Sequence, residues 1–214
     1  MSERARRRAN VAIAVLVVIG VALRLLVARS PGFPSDVGTF MAWAEKLAAV
    51  GPGRFYEPGY FSDYPPGFLY VLWALGALFD GELLRLAVKA ISVPADVGIA
   101  LLIVRLVRRH AGNGAAILAA GIWMLQPAPI FAGPYWGQVD AVGTLPFLAA
   151  LLAAGARRWG IAGVLAGVAT MTKPQFGLVL GIIVVAALIE LVRARDWRPL
   201  LRSGLAALVT MELL

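Results

Sequence analysis

Apolar runs recur along the whole chain, and clusters of arginine sit at their ends. Arg4, Arg6, Arg7 and Arg8 precede the first run. Arg105, Arg108 and Arg109 form a second cluster, Arg157 and Arg158 a third, and Arg193, Arg195, Arg198 and Arg202 a fourth. This is the pattern of a polytopic helical membrane protein whose basic loops face the cytoplasm. Composition agrees: 60% of residues are hydrophobic and 15% charged, where a soluble domain carries about 25% charged residues. The four clusters hold 13 of the 20 lysines and arginines, so the net charge of +8 reads as an orientation signal. Nucleic acid is excluded as a partner, because no stacking aromatics run through a continuous basic stretch. The chain has no cysteine and one histidine, His110. Disulfides, thiol catalysis and Cys- or His-cluster metal sites are thereby excluded.

The fold expected is all-α: a transmembrane bundle of about 6–7 spans. The first span covers residues 10–28. Its basic start resembles a signal peptide, but Arg24 and Arg29 stand where a small-residue cleavage site would be, so it is read as a retained span. Residues 83–107 form a return span to the second basic cluster. The intervening run, 68–79, is too short to cross; it is read as a re-entrant or interfacial helix within a first extracytoplasmic loop of residues 29–82. Further spans follow at 115–131, 141–156, 160–172 and 176–192, and a seventh run begins at Pro199. Residues 1–214 read as one transmembrane module, the N-terminal part of a longer protein.

This topology gathers carboxylates, amides and aromatics on the extracytoplasmic face. The first outer loop holds Asp36, Glu45, Glu57, Asp63, Asp80 and Glu82; the second carries Tyr135, Trp136, Gln138 and Asp140; the third carries Lys173 and Gln175. Within span 83–107, Arg85, Lys89, Ser92 and Asp96 fall on one helical stripe. Lys89 and Asp96 are about 10 Å apart along the axis at 1.5 Å per residue. Charges at that depth are functional candidates, the plainer alternative being a polar network inside the bundle with Arg85 reaching the surface.

Four motifs occur in order: Pro34-Ser35-Asp36 through Trp43-Ala44, then Asp63-Tyr64-Pro65-Pro66-Gly67, Trp136-Gly137-Gln138-Val139-Asp140, and Lys173-Pro174-Gln175. Together they resemble GT-C glycosyltransferases, closest to bacterial relatives of the GPI-anchor mannosyltransferases and dolichol-linked glucosyltransferases. The resemblance implies a polyprenyl-phosphate sugar donor, a hydroxyl acceptor on a glycolipid, glycan or protein, transfer outside the cytoplasm, and a catalytic carboxylate in the first outer loop. That position matches Asp36.

Sugar transfer to a hydroxyl needs a base and a means of stabilising the departing phosphate. A positioned carboxylate supplies the base, typically worth about 10²–10⁴-fold. Asp36 is expected in that role, its alternative being a turn or helix-capping residue. Asp63, before the stiff Tyr64-Pro65-Pro66 segment, assists the base or holds the acceptor; alternatively it caps the helix that starts near Pro66. Asp140, Gln138 and the Trp136 ring are expected to bind sugar hydroxyls, with helix capping and interfacial anchoring as alternatives. Lys173, next to Gln175 and a helix opening at Pro174, is the first candidate for the donor phosphate. Arg85 and Lys89 are second candidates. No cofactor and no metal is expected. The leading reading is an inverting-type mannosyltransferase embedded in the membrane. A transporter or flippase of a lipid-linked sugar is the alternative, though polar residues gathered at one face favour the enzyme.

Overall fold

The computed structural model describes residues 3–214, and among these all regular structure is helical. The helices are α1 (Glu3–Ala28), α2 (Pro34–Val50), α3 (Pro66–Leu78), α4 (Gly81–Ala90), α5 (Ser92–Leu125), the single turn α6 (Pro127–Ile130), α7 (Asp140–Gly155), α8 (Trp159–Thr172), α9 (Leu178–Ala194) and α10 (Arg198–Leu213). A π-helical turn spans Phe131–Trp136, and 3₁₀ turns span Pro52–Arg54 and Pro174–Gly177. Among the described residues, three stretches are long and apolar enough to cross a bilayer: Glu3–Ala28, Gly81–Trp136 and Pro174–Ala194. The shorter apolar helices are Pro66–Leu78, Asp140–Gly155 and Trp159–Thr172. The protein is a helical membrane protein.

The chain divides into two compact units. One comprises Met1–Thr39 and Gly81–Ala141; the other comprises Phe40–Asp80 and Val142–Leu214. Two of the three boundaries fall inside α2 and α7, and the third falls between α3 and α4.

In the first unit α1 lies along α5. The side of α1 that packs is small and partly polar: Ala9, Ile13, Gly20, Arg24 and Ala28 are buried. Most of its large residues, among them Val11, Val18 and Leu26, are exposed, as expected of a helix whose outer side meets lipid rather than water. Ile13 joins Val104, Ala116 and Ala120 in an apolar cluster. A Cβ at Gly20 would lie 2.8 Å from the Met124 Cβ and 3.0 Å from its carbonyl oxygen, so glycine permits that close approach.

Residues 83–107 lie within one continuous stretch, Gly81–Trp136, that is long and apolar enough to cross a bilayer. A single turn residue, Ile91, separates α4 from α5, and its backbone keeps helical angles (φ −61°, ψ −29°). Lys89, Ser92 and Asp96 of the expected stripe are all buried. The loop expected near the second basic cluster shrinks to a single break, at Gly112, where φ is 80° and ψ −172°. Glycine takes that left-handed backbone without the Cβ strain other residues meet.

In the second unit α8 packs against α7, α9 and α10 around Ala150, Trp159, Ala162, Ala166, Val179 and Ile183. Gly163 sits against the backbone of Ser203, where a Cβ would come within 2.9 Å of the Ser203 Cα. This is the small-residue packing expected of helices with no water to drive them together. The first turn of α3 approaches the end of α8 in the same way, Gly67 lying against the Met171 backbone.

Candidate active site

The first unit builds a carboxylate clamp from two segments about a hundred residues apart. After α1 the chain turns through Gly32, at φ +79°. Cations from α4 hold this turn. Arg85 donates to the carbonyls of Ser30 (2.7 Å) and Arg29 (3.3 Å), and its remaining charge is met by Glu82. Lys89, 1% exposed, donates to the Ser30 carbonyl and lies 3.2 Å from the Ser30 hydroxyl. Phe33 then stacks on Trp136 with ring centroids 4.6 Å apart, and its backbone N–H donates to the Trp136 carbonyl. Asp36 follows in the first turn of α2.

The other segment is the π-helical turn. Its wide winding lets both the Gly137 and Gln138 N–H groups reach the carbonyl of Ala132, Gly137 also bonding that of Gly133. Gly137 closes the turn at φ +98°. The side chains of Trp136 and Gln138 are thereby aimed at one point. The Trp136 indole N–H and the Gln138 amide (2.8 Å) both donate to Oδ2 of Asp36. Neither bond falls on Oδ1. The carboxylate is half-buried and oriented by two donors, while its second oxygen receives neither of them. The aliphatic part of Lys89 passes close to Gly137, and its ammonium ends beside Gly32, so a cation lies in the same wall.

Gly137 is a requirement of this clamp. A Cβ there would stand 2.6 Å from Val37 Cγ2, one residue from Asp36. Gly137→Ala is expected to destabilise the protein by about 1–3 kcal/mol and to lower activity with it. Thermal unfolding in detergent checks the first part. Adding Val37→Ala should recover the steric share and leave the backbone share.

In the second unit Tyr64, Phe40, Trp43 and Phe68 form an edge-to-face cluster with centroids 5.5–5.7 Å apart. The Trp43 indole donates to the Phe61 carbonyl (3.1 Å), and the Tyr56 hydroxyl to the Tyr64 carbonyl (2.7 Å). Burial raises the pKa of that Tyr56 hydroxyl above its ordinary value, which keeps it a donor. Lys173 ends α8, and its ammonium lies 5.6 Å from the centre of the Tyr64 ring, a cation–π contact.

The expected site residues therefore fall into groups. Asp36, Trp136 and Gln138 meet directly, and Lys89 and Arg85 fasten the turn that delivers Asp36. Asp140 opens α7 two residues after Gln138. Tyr64 meets Lys173 in the second unit. Asp63 is exposed and does not cap α3, whose N-cap is Pro65 without a side-chain bond. Pro174 and Gln175 open a four-residue 3₁₀ turn rather than α9 itself, so the helix dipole expected beside Lys173 begins only at Leu178.

Two residues escaped sequence reasoning. Phe33 was one aromatic among many, with no signal to set it apart. Arg24 did carry a signal: it is a charge inside an apolar run. It is fully buried and pairs with Asp96 of α5 at 2.9 Å. It also donates to the carbonyls of Gly20 (3.2 Å) and Met124 (2.5 Å), and the Trp123 indole donates to the Asp96 carbonyl (3.0 Å). Asp96 is thus the partner in a structural latch, while Lys89 and Arg85 of the same stripe hold the turn after α1.

A helical membrane protein with an oriented carboxylate and nearby cations fits the GT-C group of glycosyltransferases. The family model for glycosyltransferase family 87 matches residues 61–213. The chain belongs to that family and is a membrane glycosyltransferase. The matched segment contains Asp63, Trp136, Gln138, Asp140 and Lys173; Asp36 precedes it. Comparison with curated proteins and with solved structures returned no match.

Proposed function

We propose that this protein transfers a sugar, mannose in the first instance, from a polyprenyl-phosphate donor to an acceptor hydroxyl on the extracytoplasmic face, with Asp36 as general base. The observation that carries this reading is the clamp on Asp36. Trp136 and Gln138 fix one carboxylate oxygen. The other, Oδ1, takes the acceptor proton as the acceptor oxygen bonds to the anomeric carbon. The bond from that carbon to the phosphate oxygen breaks, and its electron pair leaves with the polyprenyl phosphate. Preorganised geometry of this kind is what a base needs to act at the moment of transfer. Asp63 assists at the acceptor, while Asp140, Gln138 and Trp136 bind sugar hydroxyls.

Lys173, held over Tyr64, receives the donor phosphate with Gln175 beside it, and Lys89 and Arg85 are the second holders. Lys173→Gln is expected to raise the KM for donor about tenfold to a hundredfold, the worth of a hydrogen bond to a charged group. A fall in kcat at unchanged KM would instead place its action in the transition state.

The deciding assay offers the purified protein polyprenyl-phosphate mannose, glucose and arabinose and follows label into an acceptor hydroxyl. Transfer supports the enzyme; movement of intact donor across vesicles without transfer supports the lipid-linked sugar transporter. The absence of cysteine gives a clean background for the orientation. Phe61→Cys, at an exposed site, should react with an impermeant thiol reagent from outside, and His110→Cys should not. The reverse pattern would overturn the assigned face.

A further inference from the structure

The basic end of α1 and the trough beside it carry an inference independent of sugar transfer. We propose that the groove between α1 and the later half of α5 holds one anionic phospholipid of the leaflet that the basic end of α1 meets. A cavity of about 600 Å³ opens there between Arg4 and Arg8 on α1 and Asn113 and Ile117 on α5. A second, of about 510 Å³, continues from the same Ile117 past Leu16, Gly121, Ile122 and Leu125. The first is bordered by two guanidinium groups, the second almost wholly by hydrocarbon. Head and tail chemistry thus follow one another along a single groove of one unit.

Charge complementarity selects the occupant. Arg4 and Arg8 are four residues apart, on one side of the helix, where like charges repel. Neither forms an ion pair with a carboxylate among the described residues. A phosphodiester between them relieves that repulsion and accepts hydrogen bonds from both guanidinium groups. Basic pockets between membrane helices are known to take anionic head groups in this way. The trough suits an acyl chain because Gly121 leaves its floor open: the nearest atom to a Cβ there is Leu16 Cδ1, at 3.6 Å. Leu118 and Ile122 are exposed along its wall, so the groove is open to the bilayer.

The test uses the whole protein in mixed micelles of phosphatidylcholine with added phosphatidylglycerol, read by native mass spectrometry and by melting temperature. Wild-type protein should retain one phosphatidylglycerol and melt higher in its presence than in phosphatidylcholine alone. Arg4→Gln with Arg8→Gln should weaken retention about 25-fold, on the order of fivefold for each arginine near an anionic surface. Arg6→Gln with Arg7→Gln removes the same charge but neither guanidinium borders the cavity, so it should weaken retention several-fold less than the Arg4 and Arg8 pair. Gly121→Phe should displace the lipid with every charge intact. Ile122→Gln, at an exposed position, repeats that arm should Gly121→Phe fail to fold. Soluble glycerophosphoglycerol should not compete. Equal weakening by the two arginine pairs would reduce the effect to diffuse charge and overturn the site. Equal retention of phosphatidylcholine, or indifference to both trough variants, would overturn it as well.

Discussion

Asp36→Asn is expected to lower turnover about 10²–10⁴-fold, the usual worth of a positioned general base, while donor affinity stays within about twofold because the amide has the same shape and no donor contact is removed. The substitution suits the site. Asparagine keeps a carbonyl oxygen that can accept from the Trp136 indole and the Gln138 amide, as Oδ2 of Asp36 does now. What it loses is a basic oxygen on the other side. The clamp therefore survives while the proton acceptor disappears. Labelled-sugar transfer measures the first quantity and equilibrium donor binding the second. Turnover equal to wild type would remove Asp36 as the base. A parallel loss of donor binding would make it part of the donor pocket instead.

Arg24→Met is the substitution expected to damage the fold most. Arg24 is fully buried and Asp96 is 1% exposed, so removing the guanidinium leaves a carboxylate without its counter-ion inside the protein. Breaking a buried pair from one side costs about 3–5 kcal/mol. Arg24 also satisfies the carbonyl of Met124, near the C-terminus of α5, where a helix has no partner of its own to offer. Denaturant unfolding in mixed micelles reads the loss. Arg24→Met combined with Asp96→Leu should recover a substantial part of it, because the uncompensated charge is then gone. A single-variant loss under about 1 kcal/mol would mean that water or lipid head groups reach the pair.

Asp36, Arg24 and Asp96 also mark how far the sequence could be read. Helices α7 and α8 fall within a residue of the expected 141–156 and 160–172, because apolar runs and their polar stops are local signals. α3 begins at Pro66, where a proline favours the first helical turn. The expected span 83–107 lies inside the Gly81–Trp136 stretch, whose apolar run continues through Ile91. Gly112 was hidden: a one-residue break looks like a short loop when only composition is available. The Arg24–Asp96 pair spans 72 residues and the Asp36–Trp136 contact 100. Periodicity within one helix carries no information about which distant helix it will meet.

The sequence by itself determined that this chain is helical and lives in a membrane, since desolvating a backbone in lipid leaves the helix as the only local way to satisfy its hydrogen bonds in apolar runs of this kind. It also supplied the polar residues that the family resemblance singled out. Only the tertiary structure decided their partners. The wide π-turn aims Trp136 and Gln138 at Asp36, Lys89 and Arg85 hold the Arg29–Pro31 turn, and Asp96 meets Arg24. Those choices follow from close packing of small residues and from the cost of leaving any buried charge alone, and both are properties of the assembled helices.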